Sequence, residues 1–396
     1  MEFRIERNAL AEAVAWAARS LPARSPVPVL GGLMLDAGGG RLRIRGFDYE
    51  ASAHIEVPAD TPSAGHVLVM GRRLLDICRV LPDTVVECAL HGTRFTVEGG
   101  GTRFGLSVLP VDEYPALPAP PPFRGTADAA EFADAVARVA IAAGRDDALP
   151  VLTGIQLRLD GDSMTLAASD RYRYAVRTVP WKPDAEAGTG ADGCEPVEVV
   201  VPGRRLAEIS RSLAKTGSIR IGLNTPGGPG GSGGGLIAFE GDGMRTTLRL
   251  LEGRLPRHGK LFALDSPAIA VTRREELAEA VRRVAVVAEP NSPVRLDFSA
   301  RGSLLLQAGY GDDVAAQEIP ATLDGAADLA VAFNPGYLLE ALTSFDAPRV
   351  RFELLGPGLR ALLGAAPDAD AVPDADAGDA AREDHRHLLM SVRQLS

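Results

Sequence analysis

Cysteine is scarce in this chain of 396 residues: the three present, Cys78, Cys88 and Cys194, are odd in number and show no C-x-x-C spacing. A disulfide framework and a zinc site are therefore unsupported, and reduced thiols are expected. Aromatics are few, and no apolar run approaches the roughly 18 to 20 residues that a membrane span needs. The opening residues Met1-Glu2-Phe3-Arg4 do not read as a signal peptide, so a cytoplasmic protein without membrane attachment is expected. An excess of base is missing too, since 42 Lys and Arg face 52 Asp and Glu for a formal charge of -10. That argues against a surface coated in base, but net charge does not say where charges sit.

What is present is repetition. Leu10, Val14, Ala17 and Leu21 follow a helical period that recurs as Phe132, Val136, Val139 and Ala143, and again as Leu277, Val281, Val284 and Ala288. A second template, Leu74-Ile77-Leu81, recurs as Leu206-Ile209-Leu213 and Leu338-Ala341-Phe345, its starts 132 residues apart both times. Pro28-Val29-Leu30 is echoed by Pro150-Val151-Leu152 and Pro293-Val294, and an alternating strand follows each second helix: Val85 to Leu90, Ile219 to Leu223, Val350 to Leu354. Three equivalent domains follow, with boundaries expected at 1–123, 124–262 and 263–396; the Pro-rich stretch 115–122 reads as a stiff linker.

Further strands are expected at Arg41 to Arg45, Ala51 to Val57, Phe95 to Glu98, Arg103 to Val108 and Ala268 to Val271, while domain two is expected to open on a helix near Ala130. The fold class is α+β: in each domain an antiparallel sheet carries two helices on one face. Three insertions, Asp184 to Glu195, Pro226 to Gly235 and Asp368 to Asp384, read as mobile loops.

Several motifs match by accident. Gly230-Gly231-Ser232-Gly233-Gly234 fits a hydrolase elbow but lies in a glycine run rather than between strand and helix, and Ser212-Leu213-Ala214-Lys215 lacks the partner motifs of the S-x-x-K enzymes. The glycine-rich loop lacks the G-K-[ST] ending of a phosphate cradle. His385 and His387 beside Asp384 are read as solvated groups of an acidic tail, and Asp368, Asp370, Asp374 and Asp376 lack the turn glycine and closing Glu of a calcium loop. No catalytic constellation, cofactor or metal is expected.

The helices carry about a dozen bases on an acidic chain, among them Arg72, Arg73, Arg138, Arg204, Arg205 and Arg282. If three like domains stand with their sheets outward, those helices share a basic concave face suited to a phosphate backbone and indifferent to base sequence.

Over almost its whole length the chain resembles the bacterial sliding clamp family, the beta subunit of DNA polymerase III. The resemblance rests on Pro28-Val29-Leu30-Gly31-Gly32, on Leu74-Leu75-Asp76-Ile77-Cys78-Arg79 with Leu81-Pro82, and on Arg103-Phe104 through Leu109-Pro110 to Tyr114-Pro115. Ala168-Ser169-Asp170-Arg171-Tyr172-Arg173, Gly253-Arg254-Leu255-Pro256 and Phe333-Asn334-Pro335-Gly336-Tyr337-Leu338 extend it.

It implies a head-to-tail homodimer closing into a six-domain ring around duplex DNA, with Arg24 added to the helix bases as a DNA contact. Phe104 and Leu106 would meet Val286 and Val287 across the subunit joint. It implies no chemistry and no cofactor; the partners are DNA polymerase III, the clamp loader and other proteins carrying a clamp-binding motif. The partner-peptide pocket would comprise Leu152, Thr153, Ser169, Arg173, Tyr174, Pro256, Lys260, Leu261, Asn334, Tyr337, Leu388, Met390, Val392 and Arg393. Tyr174 stands where the family has a small aliphatic residue and is expected to shrink or reshape the anchor subsite. Ser391 replaces a proline and is expected to free the backbone beside the groove. Two other readings remain: a paralogue whose altered pocket serves a specialised partner or tolerates a clamp-binding inhibitor, and a scaffold that does not encircle DNA.

Overall fold

The computed structural model describes the chain except residues 23, 25–26, 185–195, 225–233, 290–291, 368–384 and 394–396. Nearly all of the three insertions lies outside the described residues, as does most of the Gly230 to Gly234 motif.

The first repeat contains β1 (Glu2–Glu6), α1 (Arg7–Ala17), β2 (Gly32–Gly38), β3 (Arg41–Phe47), β4 (Ala51–Pro58), β5 (Asp60–Ser63) and β6 (Gly65–Met70), then α2 (Gly71–Val80), β7 (Val85–His91), β8 (Arg94–Gly99) and β9 (Thr102–Leu109). In the second come β10 (Phe123–Asp128), α3 (Ala129–Ala140), β11 (Gly154–Asp160), β12 (Ser163–Ser169), β13 (Arg173–Pro180), β14 (Lys182–Pro183) and β15 (Val197–Pro202), then α4 (Gly203–Leu213), β16 (Ser218–Asn224), β17 (Leu236–Gly241) and β18 (Met244–Arg249). A short α5 (His258–Phe262) leads into the third: β19 (Ala268–Arg273), α6 (Arg274–Val284), β20 (Val294–Ser299), β21 (Ser303–Tyr310), β22 (Asp313–Asp324), β23 (Asp328–Phe333), α7 (Pro335–Thr343), β24 (Arg349–Leu354), β25 (Arg360–Ala366) and β26 (His385–Met390).

Strand β10 stands in front of the helix on which the sequence was expected to open domain two, and it pairs with β16. Its short Phe-Arg-Gly-Thr-Ala-Asp sequence, following five prolines in eight residues, offers little alternation to read.

Helices spring directly from strands. Glu6, Met70, Pro202 and Arg273 precede α1, α2, α4 and α6 without a capping side chain, so these helices owe their stability to the face they bury. That face is the repeated one: Leu10, Val14 and Ala17 on α1, Leu74 and Ile77 on α2, Leu206 and Ile209 on α4, Leu277 and Val281 on α6 are all buried. Gly71 and Gly203 open α2 and α4 because a Cβ at Gly71 would meet Leu21 Cδ1 at 2.6 Å and one at Gly203 would meet the Thr153 carbonyl oxygen at 2.8 Å.

The chain packs as two compact units that cut across the repeats. One comprises residues 1–129, 183–188 and 215–250; the other comprises 130–182, 189–214 and 251–396. In the first, an antiparallel sheet runs unbroken from the second repeat into the first where β18 pairs β4, Met244 opposite Ile55 and Leu248 opposite Ala51. The second unit has the equivalent joint, β26 of the third repeat against β13 of the second, Leu389 opposite Arg173 and His385 opposite Arg177. By position β4, β13 and β22 are one strand of the repeat, and β18, β26 and β9 another. Only the third pairing, β22 with β9, is not made within the described chain. Residues Asp313–Pro320 of β22 pair only β21, and β9 reaches β6 only through Val108 and Leu109, so Thr102–Ser107 pairs β8 alone.

Candidate functional site

The turn between β12 and β13 fixes one wall of a groove in the second unit. Asp170 Oδ1 accepts the amides of Tyr172 and Arg173, both at 3.1 Å, its Oδ2 accepts from Arg173 Nε at 2.9 Å, and the Ser169 hydroxyl donates to the Arg173 carbonyl at 2.8 Å. Arg173 is 5% exposed. Its guanidinium also pairs with Glu340 of α7 and lies 4.4 Å from the centre of the Tyr337 ring, so a buried charge is answered on every side. Asn334 caps α7 through Oδ1, which accepts the Tyr337 amide at 3.2 Å, and Tyr337 stacks on Tyr172 with ring centres 6.3 Å apart. Together with residues 143–146, Leu149 and Leu152 these groups enclose a cavity of about 590 Å³.

Of the expected pocket residues, Leu152, Arg173, Asn334 and Tyr337 line this cavity. Tyr174, Pro256 and Lys260 line a neighbouring one of about 370 Å³, and Val392 and Arg393 a third of about 360 Å³ beside β23. Leu261 and Leu388 pack with Tyr174, Leu255 and Phe262 in one apolar cluster. Thr153 is half-buried and donates to the Pro150 carbonyl, Ser169 is buried, and Met390 is anchored by its amide to the Tyr172 carbonyl at 2.8 Å.

Tyr174 is 3% exposed, its ring edge-on to Phe262 and its hydroxyl donating to the Pro256 carbonyl at 2.8 Å. Burial, with Glu198 nearby, pushes its phenol pKa well up, so it stays a neutral donor.

The expectation for Ser391 is overturned. Its hydroxyl donates to the Leu359 carbonyl at 2.8 Å and accepts from the Leu359 amide at 3.0 Å, while its own amide donates to the Leu359 carbonyl. Hydrogen bonds to the 356–359 turn hold the backbone that proline would have stiffened.

His385 and His387 also differ from expectation. They lie in β26, at 6% and 0% exposure, not in solvent, because strand alternation places residues 385, 387 and 389 on one buried face. His385 Nδ1 meets the Val176 carbonyl at 3.0 Å and Nε2 the Ser344 hydroxyl at 2.8 Å. Desolvation lowers its pKa to about 4, and lowers that of His387 well below the ordinary range. Among the described residues no group of His, Cys, Asp and Glu could hold a metal ion, and no helix is long and apolar enough to cross a membrane.

The expected DNA contacts fall into two sorts. Arg24, Arg72, Arg73, Arg204 and Arg282 are exposed, and Arg205 is half-buried. Arg204 forms only a loose pair with Glu208 at 3.6 Å, and Arg72 donates to the Pro22 carbonyl. Arg138 is different: its side chain is 15% exposed, pairs with Asp134 at 2.6 Å and with Asp346, and donates to the Ser344 carbonyl at 2.7 Å. Two carboxylates already answer its charge, so it fastens α3 to the end of α7 and is not available to a phosphate.

At the expected joint residues, Phe104 is half-buried and Leu106 6% exposed, whereas Val286 is 81% exposed in the turn after α6, which packs against β22, and Val287 is half-buried. Sequence reasoning missed Tyr310, 90% exposed, and Val314, 66% exposed, at the β21–β22 hairpin. Two apolar residues flanking Gly311-Asp312-Asp313 are the signal that would have found them.

The N-terminal, central and C-terminal domains of the DNA polymerase III beta subunit match residues 1–118, 126–257 and 260–375 in order. The beta sliding clamp of Streptomyces coelicolor is 46% identical over 394 residues, 99% of either chain. A beta sliding clamp homolog, GriR, of Streptomyces muensis is 40% identical over 394 residues, again 99% of each. Among solved structures, the DNA polymerase III subunit beta of Pseudomonas aeruginosa superposes with a TM-score of 0.84 at 25% identity, covering 100% of both chains. A sliding clamp from the same organism bound to griselimycin gives 0.86 at 24% identity, also covering 100% of both.

Proposed function

We infer, from a chain that belongs to the DNA polymerase III beta subunit family, that this protein is a DNA sliding clamp: a head-to-tail homodimeric ring that encircles duplex DNA and tethers the replicative polymerase and other partners to it. The family is a non-catalytic processivity factor, and this chain acts in the same way, in the cytoplasm, by raising the effective concentration of a polymerase at the primer end.

The repeat of one sheet joint supports the way the ring closes. β18 pairs β4 and β26 pairs β13, and the open edges of β22 and β9 are the two halves of a third such joint, which a second copy completes twice over. Phe104 and Leu106 on β9 then face Val286 and Val287 beside β22. Exposed Arg24, Arg72, Arg73, Arg204 and Arg282, with half-buried Arg205, supply the sequence-independent attraction to phosphates. The three domains are bounded near residues 123 and 262.

The test is topological. Loaded onto circular DNA the dimer is expected to be retained and to be lost once the circle is cut. Equal loss from intact and cut circles in moderate salt would leave only the scaffold reading.

A second reading is favoured by Tyr174. A ring tied to the Pro256 carbonyl occupies the wall on which the family places a small aliphatic residue. It supports a paralogue whose pocket serves a specialised partner or tolerates a clamp-binding inhibitor; the Pseudomonas aeruginosa clamp is one to which griselimycin binds. Comparing griselimycin affinity for this protein and for its Tyr174→Leu variant separates the two readings.

A further inference from the structure

Arg171 adopts φ +79°, a left-handed backbone that side-chain-bearing residues rarely take and glycine takes freely. It sits at the tip of the β12–β13 turn, exposed, and lines the 590 Å³ cavity beside the stacked Tyr172 and Tyr337. The other charges of that lining are already engaged. Arg173 is held by Asp170 and Glu340, Glu340 also faces Arg145 at 3.8 Å, and Asp146 accepts the Ala148 amide at 2.9 Å. Among the described residues the Arg171 guanidinium has no partner. A strained residue whose amide donates to the Ser169 hydroxyl at 3.3 Å but whose side chain holds nothing in its own fold, and which places an unanswered positive charge beside a cavity lined by aromatic rings, is arranged for a ligand.

We propose that Arg171 is a specificity-determining residue that pairs with a carboxylate in the linear peptide bound by this groove, so that the partners selected carry an Asp or Glu beside their apolar anchor. The proposal rests on the reading of this groove as the partner pocket. Charge complementarity decides the occupant, since a peptide with a neutral or basic residue at that place leaves Arg171 unanswered or repelled. The aromatic pair gives the anchor an apolar surface, and the guanidinium, planar and always charged, fits a carboxylate two bonds at a time.

A fluorescent polymerase-derived clamp-binding peptide, made with Glu or with Gln at the positions flanking its apolar anchor, titrates wild type and Arg171→Gly. The wild type is expected to prefer the Glu form by roughly 3- to 5-fold, the range of an exposed ion pair, and the preference is expected to shrink as salt rises. Arg171→Gly is expected to bind both forms alike while its melting temperature holds or rises, because glycine relieves the left-handed backbone. Arg171→Lys retains part of the preference. Equal binding of the two forms by wild type, or a preference that survives in Arg171→Gly, overturns the proposal and leaves the pocket standing. Failure of both forms to bind wild type overturns the pocket reading and the proposal with it.

Discussion

The Tyr174 hydroxyl donates to the Pro256 carbonyl at 2.8 Å, tying β13 to the segment that leads into α5 across the wall of the proposed partner groove. A peptide anchor that needs this space must turn the ring out of its cluster with Phe262 and break that bond. Losing the bond costs on the order of 1 kcal/mol, and crowding a packed site about 1 to 3 kcal/mol.

Tyr174→Leu is therefore expected to bind a clamp-binding peptide at least about 5-fold more tightly than wild type. Tyr174→Phe, which keeps the ring and loses the tether, is expected to fall between them. Fluorescence anisotropy with one labelled peptide decides it; wild-type affinity equal to that of Tyr174→Leu would mean the ring does not obstruct the anchor.

The bases on the helices divide by what answers their charge. Arg204→Ala with Arg205→Ala is expected to lower the salt dependence of DNA association by up to about 2 in slope per chain, leaving the melting temperature unchanged. Arg138→Ala is expected to do the reverse, costing roughly 1 to 2 kcal/mol of stability through the orphaned Ser344 carbonyl and the lost Asp134 and Asp346 pairs, with the slope intact. An unchanged slope in the double variant would place those arginines away from DNA.

Acid should weaken the second unit. His385 is neutral in the fold with a pKa near 4 against an ordinary 6.5, and burial holds that of His387 well below the ordinary value too, so between the folded and unfolded values the unfolded chain binds more protons than the folded one. Their contribution is full above about pH 6.5 and is lost as pH falls towards 4, at up to about 1.4 kcal/mol per unit for each histidine. Arg138 and Arg177 around His385, and Arg173 and His385 around His387, oppose protonation, while the Val176 carbonyl and Asp134 favour it at His385. Urea midpoints at pH 7.5, 6 and 5 are expected to fall steeply, and His387→Leu, which removes ring nitrogens that meet no partner among the described residues, is expected to flatten the decline. Parallel slopes in wild type and variant would refute this origin.

Periodicity carried the helices and most strands, because Leu74, Leu206 and Leu338 recur where a single buried face demands them. Pairing between distant segments has no such local trace. Nothing near Arg138 announces Asp346, which lies 208 residues away, and nothing near His387 announces that β26 is sealed between β13 and β25. The hydroxyl of Ser391 replaces a proline's stiffness with tertiary hydrogen bonds, which composition alone does not show. Substitutions at Tyr174 and Ser391 were legible as departures from a family pattern; their consequences were decided by the atoms they met.

Ring closure offers the sharpest test of the repeat argument. Pro320 on β22 lacks an N–H, so its position opposite Ser303 needs none from β21; Ala316 has the same parity along the strand and turns its N–H to the same open side. Ala316→Pro should then remove a donor from the open edge without breaking the β21 ladder, and Val286→Asp places a charge on the apolar contact beside it. Each variant is expected to keep the melting behaviour of the wild-type monomer and to sediment as a monomer at micromolar concentration, where wild type is a dimer. A folded Ala316→Pro, Val286→Asp double variant that still dimerises would show that β22 is not the subunit joint, and the equivalence of β4, β13 and β22 would then be a feature of the fold without consequence for assembly.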